Sequence, residues 1–249
     1  MGWILPIFLV LFWQAASSLG IIQAEWLPAP LTIAHTLYEL GRSGELWGHI
    51  GVTVLRVLIG FVIGAAAGTA AGALTGYSEK ARRLFDPTLQ ALRNIPSMAW
   101  VPLFLLWLGI FEESKIMLIA TGVFFPVYLT LASGIEQVDR KLLEVGELFE
   151  LDAGSQILRI ILPAALPSWI TALRSGLSLG WMFVVAAELM GASKGLGFLM
   201  YDAQQTSRAD VIIASIVLFA ILGKVSDGLL ALSGDTSAPL SESGVRSNE

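Results

Sequence analysis

The sequence of 249 residues contains no cysteine, which excludes disulfide bonds, thiol catalysis and metal sites built on cysteine. It has only two histidines, His35 and His49, which stand far apart, so no metal site is predicted. Charge is also scarce, because charged residues make up 14% of the chain against 55% hydrophobic residues, with a mean hydropathy of +0.72. This composition excludes a soluble globular domain and is typical of a polytopic membrane protein.

The chain also lacks a nucleotide-binding motif. No G-x-x-x-x-G-K-[ST] sequence occurs, since Gly223-Lys224 is followed by Val225. A possible dinucleotide turn at Gly195-Leu196-Gly197 has Met200 in place of its last glycine, and no strand precedes it. The sequence therefore predicts that the chain is not an enzyme and binds no cofactor or nucleic acid of its own.

The apolar runs predict an all-α fold with about six transmembrane helices. These spans form a single transmembrane domain, residues 1–232, and the Ser-, Glu- and Gly-rich residues 233–249 are predicted to be a disordered cytoplasmic tail. A rival interpretation of the first span is a cleaved signal peptide, but the basic segment that begins such peptides is missing. The predicted spans are about residues 2–22, 53–76, 94–109, 116–135, 168–190 and 211–232.

Lysine and arginine cluster in two of the predicted loops, the first at residues 77–93 and the second around Arg140, Lys141 and Arg159. By the positive-inside rule both loops are cytoplasmic, which places both termini inside. Residues 25–50, 111–115 and 192–209 are then predicted to lie outside, and a surface amphipathic helix is predicted within residues 31–47.

Five glycines recur every four residues in the second span, which predicts a groove of small residues on one helix face. Apolar helices gain nothing from the hydrophobic effect inside lipid, so close backbone approach favours their association. We expect this face to pack at the centre of the helix bundle. The glycines are Gly60, Gly64, Gly68, Gly72 and Gly76.

Three residues within the predicted spans are candidates for a functional role. Pro96 and Pro102 must bend or loosen the third span, which would serve a gate or be a static kink. Glu188 is the acid placed within a span rather than at its end. It would line or gate a pathway, or accept a structural hydrogen bond from the backbone or an outer-loop amide. For a pathway that carries anions the second interpretation would be slightly favoured, because a carboxylate repels an anion.

The longest polar interruption of the second half runs from Glu144 to Pro163. Apolar residues recur in it at helical spacing, Asp152 and Ser155 are good helix N-cap residues, and Gly154 is a natural break. We therefore predict two short amphipathic helices that meet near Leu151–Gly154 and dock on a partner protein.

This stretch resembles the cytoplasmic E-A-A loop of bacterial ABC-importer permeases, in which E-A-A is followed by a glycine and later by I-x-L-P. Glu144-Val145-Gly146 stands at E-A-A, Ile160, Leu162 and Pro163 fall in register, and Glu150 replaces the glycine. Further stretches resemble the sulfonate, taurine and nitrate permeases and their pyrimidine-precursor relatives. They include Arg83–Pro87, Ile95–Gly109, Ala186–Ser193 and, from Gly195 on, Gly195-Leu196-Gly197 with Asp202-Ala203.

The resemblance implies an ABC type I importer permease in the bacterial inner membrane. Residues 139–163 would then be the coupling loop, which docks on a separate ATP-binding subunit that holds ATP and magnesium. A second copy of the chain and a solute-binding protein are the other implied partners. The coupling residues are Glu144, Val145, Gly146, Phe149, Glu150, Leu151, Asp152, Ala153, Gly154 and Pro163.

Two other classes of function remain as alternatives. A channel or secondary transporter would work without an ATPase, but the amphipathic cytoplasmic loop and the lack of internal repeats disfavour it. A purely structural membrane scaffold is disfavoured by the proline-broken spans. Co-purification of an ATPase would distinguish the importer from both.

Overall fold

A computed structural model describes residues 4–23, 25–96 and 99–235, and the described residues form helices joined by turns without any strand. The side chains of residues 140, 143, 145, 147, 153 and 233–235 are not described, and residues 236–249 of the predicted tail lie outside the described ranges. In chain order the helices are α1 Ile4–Ser18, α2 Pro30–Ser43, α3 Glu45–Tyr77, α4 Glu79–Arg93, α5 Trp100–Leu108, α6 Glu112–Glu136, α7 Arg140–Leu148, α8 Ala153–Gln156, a π-helical turn Ile157–Ile161, α9 Leu162–Leu189, α10 Leu196–Gln205 and α11 Ala209–Asp235.

Four helical segments are long and apolar enough to cross a membrane, namely Glu45–Tyr77, Glu112–Glu136, Gly154–Leu189 and Ala209–Leu232. They cover four of the six predicted spans. The first predicted span contains α1, a shorter apolar helix of 15 residues. The structure thus supports the all-α membrane fold, with four full-length spans among the described residues.

The predicted third span, residues 94–109, is shorter in the structure than the sequence indicated. Its helix α5 has nine residues, about 14 Å at 1.5 Å per residue, which is half of a bilayer core. Pro96 precedes this helix, and Pro102 lies in its first turn, where a missing N–H is tolerated. The prolines therefore delimit a short helix rather than bend a long one.

Helices also occupy much of the predicted loops. The amphipathic helix predicted within residues 31–47 is α2, which begins with Pro30 and ends at Gly44 in a left-handed conformation with φ 83°. The basic loop of residues 77–93 contains α4, whose N-terminus is capped by the Ser78 side chain. The predicted outer loop of residues 192–209 contains α10.

The core of the bundle lies where α3, α6 and α9 pack together. Its buried residues are Val57, Ala65, Ile119, Val123, Val127, Ala172, Leu177, Trp181 and Val184. Helix α4 is attached to α6 by polar contacts, because the Tyr128 hydroxyl donates to Asp86 and Arg82 pairs with Glu136 at 2.6 Å. Helix α11 packs on α9 and α10, so the bundle has α6 at its centre and α4 and α11 at its margins.

Candidate functional site

The coupling loop is a helix, a turn and a second helix that continues into the membrane. Helix α7 ends at Leu148, and the chain resumes a helical course at Ala153 that runs without interruption through the π-helical turn into α9. Residues Gly154–Leu189 accordingly form one 36-residue helical segment. A displacement of the loop would act directly on the N-terminal end of a bundle helix.

The bend of the coupling loop lies at Glu150, which corrects the expectation that Gly154 supplies it. Glu150 has a φ of 54°, in the left-handed region. The Leu151 N–H donates to the Gly146 carbonyl at 3.0 Å, a six-residue hydrogen-bonded closure that requires a left-handed residue before its donor. Gly154 lies instead inside α8. The residue in the position of the family's motif glycine therefore still makes the turn, although it is a glutamate.

Asp152 caps the helix that follows the bend, in keeping with its suitability as an N-cap residue. Its carboxylate accepts the Gly154 N–H at 3.1 Å and the Ser155 hydroxyl at 2.7 Å. The hydrogen bond from the Ser155 side chain holds the pKa of Asp152 below its usual value. This charge stabilises the helix start within the chain itself.

Apolar side chains at the bend are exposed. Leu148 is 82% exposed and Phe149 76%, whereas Leu151 is half-buried and Glu144 is exposed. Two large apolar side chains beside a capped turn in water are energetically unfavourable unless another surface covers them. Phe149 and Leu148 therefore offer stronger contacts to a partner than Leu151 does.

Other predicted coupling residues hold the loop together. A Cβ added at Gly146 would lie 2.7 Å from Cδ1 of Ile160, so the glycine lets α7 approach the π-helical turn. Pro163 stands at the start of α9, where its fixed φ suits the first helical turn. Val145 and Ala153 lie in α7 and α8, and their side chains are outside the described residues.

The root of the coupling loop borders an apolar cavity of about 830 Å³. Ile157, Ile161 and Pro163 line it from the loop side, and Trp169 lines it from α9. The indole N–H of Trp169 donates to the Thr69 hydroxyl at 3.0 Å, which connects α9 to α3 at this level. The loop therefore joins the bundle at a place that is less tightly packed than its core.

The five glycines of α3 lie against α6. A Cβ at Gly64 would stand 2.4 Å from the Ala120 carbonyl oxygen, and one at Gly68 would stand 2.7 Å from that of Phe124. Corresponding approaches at Gly60, Gly72 and Gly76 lie between 2.6 and 2.9 Å. Any side chain here would collide with backbone or with Cβ-branched residues of α6, so glycine sets the spacing of the two helices.

The three pathway candidates do not form one site. Pro96 and Pro102 are exposed at the start of α5, whereas Glu188 is 1% exposed near the end of α9. Helix α5 packs through Val101 and Phe104 in a cluster with Ala186 and Ala187, the residues that precede Glu188. The prolines thus delimit a helix that covers the neighbourhood of Glu188.

Glu188 belongs to an ion cluster, which we define as Arg56, Glu112 and Glu188. Nη1 of Arg56 donates to Glu188 at 2.8 Å, and its Nε and Nη2 donate to the two carboxylate oxygens of Glu112 at 2.6 Å each. Arg56 is 3% exposed, and the Glu112 side chain is 55% exposed. One buried guanidinium therefore joins α3 to the N-terminal end of α6 and to the C-terminal end of α9.

The same cluster holds the segment that leads into α10. The Gly197 N–H donates to Glu188 at 2.7 Å, the Leu196 N–H donates to the Thr53 hydroxyl at 2.8 Å, and the Thr53 hydroxyl itself donates to Glu188 at 2.8 Å. A Cβ on Gly195, whose φ is 126°, would stand 2.4 Å from the Glu188 carboxylate. The Gly195-Leu196-Gly197 sequence is thus a backbone cradle for a carboxylate.

Sequence reasoning anticipated that Glu188 accepts a structural hydrogen bond from an outer-loop amide, but it missed Arg56 and Glu112. A signal was available, because an arginine inside an apolar span requires a buried counter-charge. Arg56 also stands three residues after Thr53, on the same helix face. These two polar residues, close together near one end of an apolar span, indicate a shared partner.

Comparison with known proteins agrees with this architecture. Residues 60–234 match the family described as binding-protein-dependent transport system inner membrane component. The chain is 44% identical to the Bacillus subtilis protein named for aliphatic sulfonates transport, SsuC, over 93% of this chain and 84% of that protein. It is 32% identical to the taurine transport system permease protein TauC of Escherichia coli, over 92% of this chain and 85% of that protein.

Two further comparisons concern a nitrate permease and a solved structure. The nitrate import permease protein NrtB of a Synechocystis strain is 32% identical over 90% of this chain and 83% of that protein. A chain of the MetNI methionine ABC transporter in inward-facing conformations has the same fold, with a TM-score of 0.60 at 21% identity, covering 78% of this chain and 93% of that one. The chain therefore belongs to the family of inner membrane components of binding-protein-dependent transport systems and is an ABC-importer permease subunit.

Proposed function

We propose that two copies of this chain form the membrane pathway of an importer for a small organic anion of the sulfonate class. A binding protein delivers the solute outside, and separate ATPase subunits drive the cycle from the cytoplasm. The observation that carries the ATPase partnership is the exposed Leu148–Phe149 pair on a capped turn that continues into α9. Aromatic residues such as Phe149 are enriched at protein interfaces, where a few buried side chains contribute most of the binding energy.

The path of force follows from helix continuity. A push on the coupling loop reaches α9 through the π-helical turn, at a place bordered by the apolar cavity that gives it room to move. At its far end α9 carries Glu188, which is bound to Arg56 and to the segment before α10. Helix α9 therefore connects the cytoplasmic docking surface with the structure that closes the outer end of the bundle.

A symmetric dimer is supported by the number of coupling loops. The chain has one loop, and two ATPase subunits that enclose ATP between them require two docking sites. Many large apolar side chains on α1 and α11 are exposed in the single chain and are available to lipid or to a second copy.

The proposed sulfonate class of solute is supported by the names of the relatives. Among them the SsuC protein of Bacillus subtilis is 44% identical to this chain.

The topology we propose has six crossings with both termini in the cytoplasm. Lys80, Arg82 and Arg83 on α4 and Lys141 on the coupling loop support it, because positive residues remain inside. The absence of native cysteine permits a direct test in intact cells with an impermeant thiol reagent. A cysteine at Gln204, exposed on α10, should react from outside, and one at Lys141 should react only after the cells are opened. Labelling of position 141 in intact cells would contradict the orientation.

Docking of the coupling loop is tested by cross-linking. A cysteine in place of Ala153, at the start of α8, should form a cross-link with a cysteine placed in the docking groove of the ATPase subunit. A cysteine at Gln204 is the control and should form none. The expected product contains one permease and one ATPase chain, and its yield should change when nucleotide is added. If the cysteine at position 153 forms no cross-link with any of the groove positions tested, the loop is not the coupling element.

A further inference from the structure

Glu150 occupies a backbone position that glycine adopts without steric cost. Its φ is 54°, and the hydrogen bond from the Leu151 N–H to the Gly146 carbonyl fixes the turn around it. A side chain at this position strains the backbone, because its Cβ crowds the neighbouring carbonyl. A glycine would close the same turn with less strain, so the glutamate side chain at this position has a cost in stability.

Among the described residues, no polar contact of the Glu150 side chain compensates for that strain. Among the described residues, the Glu150 carboxylate forms neither a hydrogen bond nor an ion pair, and the exposed cations Lys141 and Arg159 are not within ion-pair distance of it. Asp152 differs, because its carboxylate is occupied by Gly154 and Ser155. With respect to the described side chains, which do not include that of Arg140, Glu150 therefore places an unpaired negative charge directly after the exposed Leu148 and Phe149.

We propose that Glu150 forms an ion pair with a basic side chain at the rim of the ATPase groove that receives Leu148 and Phe149. This inference rests on the proposed docking of the coupling loop and adds the chemistry of the partner surface, an apolar groove with a cation beside it. A charge at the rim of an interface governs the association rate, its salt dependence and the choice among similar partners. Glu150 is thus a specificity-determining residue for the ATPase.

Two substitutions separate the charge from the backbone strain. Glu150→Gln keeps the side-chain length and the strained turn but removes the charge, whereas Glu150→Gly removes both. The measurement is binding of the purified cognate ATPase subunit to the full-length permease in lipid nanodiscs, at low and at high salt. Glu113→Gln, an exposed acid at the outer end of α6, is the matched control.

Both Glu150 variants should bind the ATPase about three- to fivefold more weakly at low salt, and the difference should vanish at high salt. Glu150→Lys should weaken binding further, because it places two like charges together. The Glu150→Gly permease should melt at the same temperature as the wild type or higher, which shows that the loss is not a folding defect. Glu113→Gln should behave as the wild type.

Wild-type affinity and salt dependence in Glu150→Gln would overturn the proposal. Phe149→Asp distinguishes this failure from failure of the proposed docking itself. If Phe149→Asp abolishes binding while Glu150→Gln leaves it unchanged, the loop docks without the ion pair and only the role of Glu150 is lost. If Phe149→Asp also binds as the wild type does, the docking proposal fails together with the ion pair.

Discussion

Replacing Arg56 by methionine is expected to lower the free energy of unfolding by about 3–5 kcal/mol, because it leaves a buried carboxylate without its counter-charge. Glu188 is 1% exposed, and Arg56 is its ion-pair partner among the described residues. The methionine side chain keeps most of the aliphatic packing, so the loss of stability measures the effect of removing the positive charge. The measurement is the unfolding of the purified protein in detergent, induced by heat or by denaturant.

The two members of the buried pair should not be equivalent. Glu188→Gln leaves Arg56 bound to Glu112 by two hydrogen bonds of 2.6 Å, so it should cost less than Arg56→Met. The double variant that combines Arg56→Met with Glu188→Gln should be less destabilised than Arg56→Met alone, since it leaves no unpaired charge buried at position 188. Arg42→Met, at an exposed position on α2, is the control. Equal stability of Arg56→Met and Arg42→Met would contradict the ion cluster as a structural link.

The second large effect is expected at the glycine face of α3. Gly64→Ala adds a methyl group 2.4 Å from the Ala120 carbonyl oxygen and 2.8 Å from Cβ of Val123, neither of which can rotate away. Helices α3 and α6 must then separate, and overpacking of this kind costs about 2–3 kcal/mol. The thermal midpoint in detergent and the yield from the membrane should both fall.

Gly51 provides the matched control on the same helix. A Cβ at Gly51 meets nothing within 4 Å, so Gly51→Ala should stabilise α3 slightly, by about 0.5–1 kcal/mol, through the higher helix propensity of alanine. The two substitutions make the same chemical change and are expected to act with opposite sign. Destabilisation of equal size at both positions would mean that the glycines of α3 do not serve to bring α3 and α6 together.

The features that follow from chain periodicity could be predicted from the sequence. The glycine spacing in α3 anticipated a face for close helix packing, and Asp152 was recognised as a suitable N-cap residue. The prediction of an all-α importer permease is confirmed by the family match and by the shared fold. These properties depend on spacing along one helix or on short motifs, which a sequence displays directly.

Features that depend on contacts between distant segments could not be predicted. The pairing of Arg56 with Glu112 and Glu188 joins residues 56 and 132 positions apart in the chain. Residue preference places the bend at Gly154, because glycine is favoured in turns. The structure has the bend at Glu150, where α7 ends and the Leu151 N–H donates to the Gly146 carbonyl. Apolar composition predicts a longer third span than α5 provides, because composition alone does not locate the first residue of a helix.

The central claim is that the coupling loop transmits ATPase activity to the membrane helices through its exposed apolar anchors. The most direct test reconstitutes the permease with its ATPase in vesicles and measures ATP hydrolysis stimulated by solute-loaded binding protein. Phe149→Asp should bind the ATPase about thirtyfold more weakly and lose the stimulation, while the membrane bundle keeps its thermal midpoint. Tyr38→Asp, at an exposed aromatic position on α2 far from the coupling loop in the proposed topology, should bind the ATPase as the wild type does. Undiminished solute-stimulated hydrolysis by Phe149→Asp would contradict the account.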